Sequence, residues 1–243
     1  MLSIDQYLTE YDDSISGEAF RDPMGMQVIW SALGQRIFGW HITSRANNLR
    51  NFTQALFQHY VVREAEKDDS IEIPGFAREY YGSKDDPRFK RSLVIFLENL
   101  FVYTAVQENF DLSGILGSQS AKHKLQLFNG DPVICIHEDA GILVRQLFLG
   151  LNGSYKTPLM QLDILDGDYQ YPDNEIWRDI ENRFNQWKEA RKLKDTLLEI
   201  IKRVFDSAGY HGSRVDEESL SPYRELTTDA SSSVVWFRMS EIQ

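Results

Sequence analysis

Hydrophobic residues are densest over residues 88–110, with the sequence RFKRSLVIFLENLFVYTAVQENF. They are too numerous for the single apolar stripe of a surface helix, so other parts of the protein must cover most of the circumference. A strand of about 20 residues without a turn would be unusually long. A transmembrane helix needs about 18 or more apolar residues in a row, whereas Glu98, Asn99 and Thr104 interrupt this run. The pattern therefore predicts a buried central helix.

Glu98 and Asn99 are polar residues in the middle of this predicted helix. Buried polar groups need hydrogen-bond partners, and two interpretations satisfy that requirement. The pair forms either satisfied contacts within the core or one wall of a functional cleft.

Three Asp-Pro pairs each precede a stretch with apolar residues at helical spacing. Asp caps helices well, and Pro is preorganised for the first helical turn. We therefore predict helices that start near residues 23, 87 and 132. The third stretch has an alternative, because 133–136 (VICI) also fits a short strand.

The first of these helices ends at Gly39, and a second helix follows at once with Thr43 or Ser44 as its N-cap. The two form a predicted antiparallel helical hairpin. One face of the second helix carries Leu49, Phe52, Leu56, His59 or Tyr60, and Arg63.

Charged and turn-forming residues over 64–83 predict a surface loop with room for a short edge strand, and 118–128 is predicted to be a short helix.

The C-terminal third contains a second clear pattern. Apolar residues at helical spacing over 175–206 predict one long amphipathic helix or a helical pair broken near Ala190. The short apolar run 234–239 (VVWFRM) fits an edge strand, a docked terminus or a contact with another chain.

We predict a mainly α fold, an irregular multi-helix bundle around the buried central helix with at most a small β element.

The acidic, turn-rich stretch 159–174 is the best candidate for a domain boundary. We predict an N-terminal helical core domain over 1–158, a connector over 159–174 and a C-terminal helical region with a tail over 175–243.

Composition narrows the functional classes. The net charge of −11 argues against a protein that coats nucleic acid or an anionic membrane, although local basic patches remain compatible with it. The single cysteine, Cys135, excludes an intramolecular disulfide and a multi-cysteine zinc site. The acidic N-terminal stretch lacks the apolar core of a secretory signal. We therefore expect a cytoplasmic protein that does not enter membranes, and no motif predicts a cofactor or a metal site.

Two polar clusters are candidate anion-binding or partner-binding sites. The first surrounds the predicted start of the second helix, where free amides and Arg side chains suit a phosphate or carboxylate; it contains Ser44, Arg45, Asn47, Asn48 and Arg50. The second is a basic face of the C-terminal helical segment; it contains Lys188, Arg191, Lys192 and Lys194.

Three further motifs are candidates for catalysis. The sequence of 150–157, GLNGSYKT, departs from the phosphate-loop pattern GxxxxGK[ST] because Tyr155 replaces the second Gly. Arg36 and His41, separated by four residues, resemble the Arg-x4-6-His signature of helical HEPN ribonucleases, in which the pair serves acid/base chemistry and phosphate contact. The residues 137–139 (HED) supply a base or metal ligands only if Asp163, Asp166 or Asp168 converges on them.

The stretches TSRANNLRNFTQALFQH (43–59) and NGSYKTPL (152–159) resemble uncharacterised helical proteins encoded in prokaryotic antiphage-defence operons. This resemblance implies a non-catalytic subunit or adaptor of a bacterial cytoplasmic assembly that acts on or guards nucleic acid. Its expected partners are proteins, and nucleic acid through local basic patches. The alternative is a metal-dependent or HEPN-like nuclease or phosphodiesterase centred on Arg36 and His41 or on the acidic loop 163–168.

Overall fold

A computed structural model of the protein describes residues 29, 32–34, 36, 46, 48–110, 112–207 and 236–238. Backbone contacts divide the chain into two compact units, Met1–Gly39 and Trp40–Gln243. In the first unit, the described residues 29, 32–34 and 36 are helical, as predicted for that stretch. The predicted helix start near 23 lies outside the described residues. The division at 159–174 stays a prediction.

The second unit contains eight α-helices and two strands among its described residues. The helices are α1 (Leu49–Lys67), α2 (Arg78–Tyr81), α3 (Pro87–Gln107), α4 (Ser118–Leu127), α5 (Gln146–Leu149), α6 (Leu151–Gln161), α7 (Glu175–Gln186) and α8 (Lys188–Ser207). The strands are β1 (Val133–Cys135) and β2 (Trp236–Arg238). The predicted mainly α fold is confirmed. No helix of the described residues is long and apolar enough to cross a membrane.

Helix α3 is the predicted central helix. The Asp86 carboxylate accepts a hydrogen bond from the Arg88 backbone N–H, and Pro87 occupies the first turn. Every residue from 92 to 100 is buried, which is about two and a half turns and therefore the whole circumference. Helices α1, α4, α5 and α6 and strand β1 contact it. The prediction of a core helix around which other elements pack is confirmed.

Helix α1 begins later than predicted. We expected Thr43 or Ser44 as its N-cap, but the helix begins at Leu49, and Asn48 caps it through a 3.0 Å hydrogen bond from the Arg50 N–H to Asn48 Oδ1. The Tyr155 hydroxyl fixes the start of α1, because it accepts a hydrogen bond from the Asn48 N–H and donates one to the Asn48 carbonyl. Leu49, predicted on the same helix face as Phe52 and Leu56, is 78% exposed.

The stretch 64–83 differs from the predicted surface loop with an edge strand. Helix α1 continues to Lys67, and a 3-10 turn (Gly75–Ala77) leads directly into α2. Ile71, Ile73 and Tyr81 are buried. These apolar side chains pull the segment into the core, so the loop prediction was wrong for most of its length.

The stretch from 131 begins as a strand, so the predicted helix start near 132 was wrong and the strand alternative was right. Val133, Ile134 and Cys135 pair with Arg238, Phe237 and Trp236 in an antiparallel ladder. The apolar run 234–239 therefore contains an edge strand of this small sheet. β-Branched residues favour this pairing over a helix, and the short helix α5 follows only at Gln146.

The C-terminal segment forms the predicted helical pair, with the break at Trp187 instead of Ala190. The preceding stretch 159–174 is packed, since Ile164, Leu165 and Tyr169 are buried. The Trp177 indole N–H donates to the Ile164 carbonyl at 2.7 Å. Helix α8 contacts α1, and these two helices with α7 surround the candidate site.

Candidate partner-binding groove

A surface groove lies between α1 and the junction of α7 with α8. Its volume is about 420 Å³. Helix α1 and the α7–α8 segment each supply part of the lining, which consists of Arg50, Thr53, Gln54, Phe57, Phe184, Trp187, Glu189, Ala190 and Leu193. Most of this lining is apolar, and the charged residues among it are Arg50 and Glu189.

Buried aromatic residues fix the floor of the groove. Phe184 packs edge-to-face on Phe57, with ring centroids 5.3 Å apart, and stacks on Tyr60 at 5.2 Å. The Tyr60 hydroxyl donates to Asn185 Oδ1 at 3.0 Å. Burial raises the pKa of Tyr60 to about 12, so the hydroxyl stays a neutral donor. These contacts hold α7 against α1 and make the groove a preformed feature.

The break between α7 and α8 shapes the outer wall. Trp187 has an extended backbone (φ −80°, ψ 106°), which ends α7 and redirects the chain. The Trp187 side chain is 54% exposed and the Leu193 side chain 49% exposed. On the opposite wall, the Thr53 hydroxyl donates to the Leu49 carbonyl at 3.0 Å, so its hydrogen bond lies within α1. Two large apolar side chains therefore face solvent beside a buried apolar floor.

The structure divides the predicted basic cluster. Lys188, Arg191 and Lys192 are exposed on one face of α8, because residues three or four apart share a helix face. Glu189 and Leu193, four residues apart, face the groove.

Lys194 belongs to the interior side of α8. Its Nζ lies 3.1 Å from Asp195 and 3.9 Å from Glu64, and its side chain is 14% exposed. Lys194 thus braces α8 against α1, and none of the four residues of the cluster lines the groove.

The predicted anion site at the start of α1 is described only in part. Ser44, Arg45 and Asn47 lie outside the described residues, so their role stays a prediction. Asn48 is committed to the helix cap and to Tyr155. Arg50 lines the groove.

The phosphate-loop-like stretch 150–157 binds the carboxylate of Glu98, a residue of the central helix α3. Its glycine, Gly150, caps α6, and Glu98 accepts the backbone N–H groups of Leu151 at 2.8 Å and Asn152 at 3.1 Å. The side-chain amides of Asn152 and Gln146 also donate to Glu98. A Cβ at position 150 would collide with the Glu98 carboxylate. The helix N-terminus that resembled a phosphate cradle is therefore filled from within the protein.

Glu98 and Asn99 are thus satisfied core contacts. The Asn99 side chain donates to the Ala140 carbonyl at 2.8 Å and accepts the Ile142 N–H at 3.3 Å. Burial raises the pKa of Glu98, although the donors from Asn152, Leu151 and Gln146 partly offset this. The cleft interpretation of the pair is not supported by this geometry.

The other catalytic candidates do not form a site within the described residues. Arg36 is an exposed helical residue, and its proposed partner His41 lies outside them. His137 is buried, its ring stacks on Tyr80 at 4.3 Å, and its Nδ1 accepts the Asp139 N–H. Burial lowers the pKa of His137, which keeps the ring neutral.

No cluster of three metal-ligating side chains occurs in the part of the chain that the structure describes. Glu138 pairs with Arg91 at 2.7 Å, and Asp166 is occupied by the backbone N–H groups of Asp168 and Gln170 in a turn. The Asp166 carboxylate therefore shapes its own loop, and His137 and Glu138 are held by neighbouring side chains.

Sequence patterns missed most of the groove. Phe184 and Trp187 are among the apolar positions that predicted the C-terminal amphipathic helices, and Leu193, four residues before Leu197, lies on the same stripe. Apolar spacing does not show which of these residues the neighbouring helices leave exposed. Neither a family model, nor a curated protein, nor a solved structure matches this chain.

Proposed function

We propose that this chain is a non-catalytic subunit or adaptor that binds a partner protein through the groove between α1, α7 and α8. The observation that carries the proposal is the preformed apolar groove, in which Trp187 and Leu193 are about half exposed beside a buried aromatic floor. Exposed Trp residues in apolar pockets are frequent anchors of protein interfaces.

The floor of the groove suits apolar side chains of a partner protein. Phe57, Phe184 and Ala190 make this floor apolar. A volume of about 420 Å³ accommodates a few apolar side chains. A partner that inserts such side chains removes the exposed surface of Trp187 and Leu193 from water, which favours association.

The wider assignment, to a bacterial cytoplasmic assembly that acts on or guards nucleic acid, is part of the same proposal. Its support is the resemblance of 43–59 and 152–159 to antiphage-defence proteins. The start of α1 and the Asn152 region, which carry that resemblance, are joined by the hydrogen bonds of Tyr155 to Asn48. The identity of the purified partner tests this wider assignment directly.

The test uses the full chain with an affinity tag, purified from the cells that produce it. A partner found by mass spectrometry is produced separately and titrated against the purified chain. We expect Leu193→Asp to weaken binding at least tenfold, about 1.4 kcal/mol, because it places a carboxylate in the apolar wall. Trp187→Ala should also weaken it.

Val144→Asp is the matched control, because Val144 is 98% exposed and does not line the groove. It should bind like the parent. Equal binding by parent, Leu193→Asp and Val144→Asp, with all three folded by circular dichroism, refutes the groove as the docking site. A purified chain that cleaves RNA or DNA with a divalent ion refutes the non-catalytic assignment and favours the nuclease alternative.

A further inference from the structure

We infer that one internal water molecule bridges α1 and α6, bound between the side-chain amides of Gln58 and Asn152. The site lies where these two helices meet the central helix α3, and neither residue lines the groove. The inference goes beyond the proposed function and does not depend on it.

Gln58 and Asn152 each contain one buried polar atom that lacks a protein partner. Both residues are 1% exposed, and neither Gln58 Nε2 nor Asn152 Oδ1 has a hydrogen-bond partner among the described residues. Buried amide groups are nearly always hydrogen-bonded, because an unpaired group has lost its bonds to water without replacement. Two unpaired atoms at one helix contact therefore point to a ligand that bonds to both.

The hydrogen-bond network fixes the orientation of both amides. Asn152 Nδ2 donates to Glu98 Oε2 at 2.9 Å and to Gln58 Oε1 at 2.6 Å. A flip of the Asn152 amide would turn its oxygen towards the Glu98 carboxylate, and a flip of the Gln58 amide would bring two N–H donors together. The unpaired atoms are therefore a fixed donor on Gln58 and a fixed acceptor on Asn152.

Glu98 does not supply the missing partners. Its two oxygens accept the backbone N–H groups of Leu151 and Asn152 and the side-chain amides of Gln146 and Asn152. These four bonds fill the acceptor sites of a carboxylate, and an ionised carboxylate has no hydrogen to donate to Asn152 Oδ1. The Gln58 donor and the Asn152 acceptor are therefore left for a ligand.

The two unpaired atoms select a small neutral ligand. Such a ligand accepts a hydrogen bond from Gln58 Nε2 and donates one to Asn152 Oδ1. A cation would face the Gln58 N–H, and an anion would lie beside the Asn152 oxygen and the buried Glu98 carboxylate. Water meets both requirements, and with two bonds of about 2.9 Å it joins atoms up to about 5.8 Å apart, which is the scale of two amides in contact.

The bridging water completes a polar connection between three helices. Glu98 of α3 binds the start of α6, and Asn152 of α6 binds Gln58 of α1. The water adds a second link between α1 and α6. Because a fully satisfied buried network fits one arrangement of its members, this link fixes how α1 lies against α6.

The first experiment detects the water by NMR on the isotope-labelled full chain. We expect direct nuclear Overhauser cross-peaks between water and the side-chain amide protons of Gln58 and Asn152. Asn99 is the internal control, because it is 2% exposed and its amide is bonded to the Ala140 carbonyl and the Ile142 N–H. Cross-peaks of equal strength at Asn99 and Gln58, or none at Gln58, overturn the inference.

Gln58→Met tests the bridge itself, because it removes the donor and keeps most of the side-chain volume. In the folded variant the water cross-peak at Asn152 should be lost. Gln107→Met is the matched control, since Gln107 is exposed and donates to the Gly130 carbonyl; it should retain the Asn152 cross-peak. A cross-peak of parent strength in Gln58→Met, or its loss in both variants, overturns the bridge.

A high-resolution crystal structure of the parent chain is the test that needs no variant. We expect one water oxygen within about 3.2 Å of both Gln58 Nε2 and Asn152 Oδ1. A direct hydrogen bond between these two atoms, or the absence of a water between them, overturns the inference. Either result leaves the partner titration with Leu193→Asp unaffected, because that titration concerns the groove.

Discussion

Lys90 offers the sharpest test of how the core of this protein is held together. Its side chain is 1% exposed, and its ammonium lies 2.9 Å from the Glu66 carboxylate. It also donates to Gln170 Oε1 and lies 5.3 Å from the centre of the Tyr171 ring. Lys90 therefore ties α1 and the loop before α7 to the central helix, and Lys90→Met removes the charge while it keeps most of the volume.

The expected decrease in the free energy of unfolding follows from the Glu66 carboxylate, which Lys90→Met leaves without its ion-pair partner. Removing one member of a buried ion pair costs about 3 to 5 kcal/mol. The Glu66 side chain is 19% exposed, so water partly compensates it, and we expect about 3 kcal/mol. For a chain of this size that corresponds to a fall of roughly 6 to 12 °C in melting temperature. The Gln170 side-chain oxygen also loses its Lys90 donor.

The pH dependence gives a second readout. Burial raises the pKa of Glu66 above its ordinary value of 4.5, and the nearby Lys90 partly offsets that rise. Since the pKa in the folded state is the higher one, this carboxyl stabilises the fold below its unfolded pKa and loses that contribution as pH rises through the folded pKa. Without Lys90 the pKa of Glu66 should rise further, so the deficit of Lys90→Met should grow as pH increases above about 4.5.

The assay is urea unfolding of parent and variant between about pH 4 and pH 8, analysed by linear extrapolation. Lys122→Met, at an exposed position of α4, is the control and should unfold like the parent. Glu66→Leu introduced together with Lys90→Met should recover part of the loss, because it removes the stranded carboxyl. A Lys90→Met variant within about 0.5 kcal/mol of the parent at every pH would refute this account of the ion pair.

Two further predictions concern the same central helix. Leu97 is 2% exposed, so Leu97→Ala should create a cavity and cost about 2 to 5 kcal/mol; a melting temperature within a degree of the parent would contradict its core position. Glu98→Ala leaves the donors of Leu151 and Asn152 unpaired and should cost about 3 kcal/mol or more. Glu108→Ala, at an exposed position, should leave unfolding unchanged, and an equal loss in both Glu variants would refute the role of Glu98 as the cap of α6.

Local sequence patterns were sufficient to predict the helices whose apolar residues and caps lie within one segment of the chain. Dense apolar residues after Asp86 and Pro87 predicted the central helix, because burial all round a helix needs apolar side chains on every face. Apolar periodicity also found the C-terminal helical pair. It placed the break near Ala190 instead of Trp187, since the period alone does not locate an extended residue between two helices.

The tertiary structure decided which residues meet across the sequence. Strand β1 forms because β2, at the far end of the chain, completes its ladder, and the sequence of 131–150 alone left helix and strand open. Glu98 binds the N-terminus of α6. In the sequence, this helix start lies within 150–157, the stretch that departs from the phosphate-loop pattern. These contacts depend on chain topology and not on local spacing.

For the candidate site, too, local sequence determined some features and tertiary packing determined others. The sequence by itself determined that a basic segment of amphipathic helix exists, because charge and period are properties of one stretch. Only the packing of α8 on α1 decided that Lys194 pairs with Glu64 and Asp195 while Lys188 remains exposed. That packing also left Trp187 and Leu193 beside an apolar floor. Exposure is the outcome of how helices dock, so no single stretch of sequence specifies it.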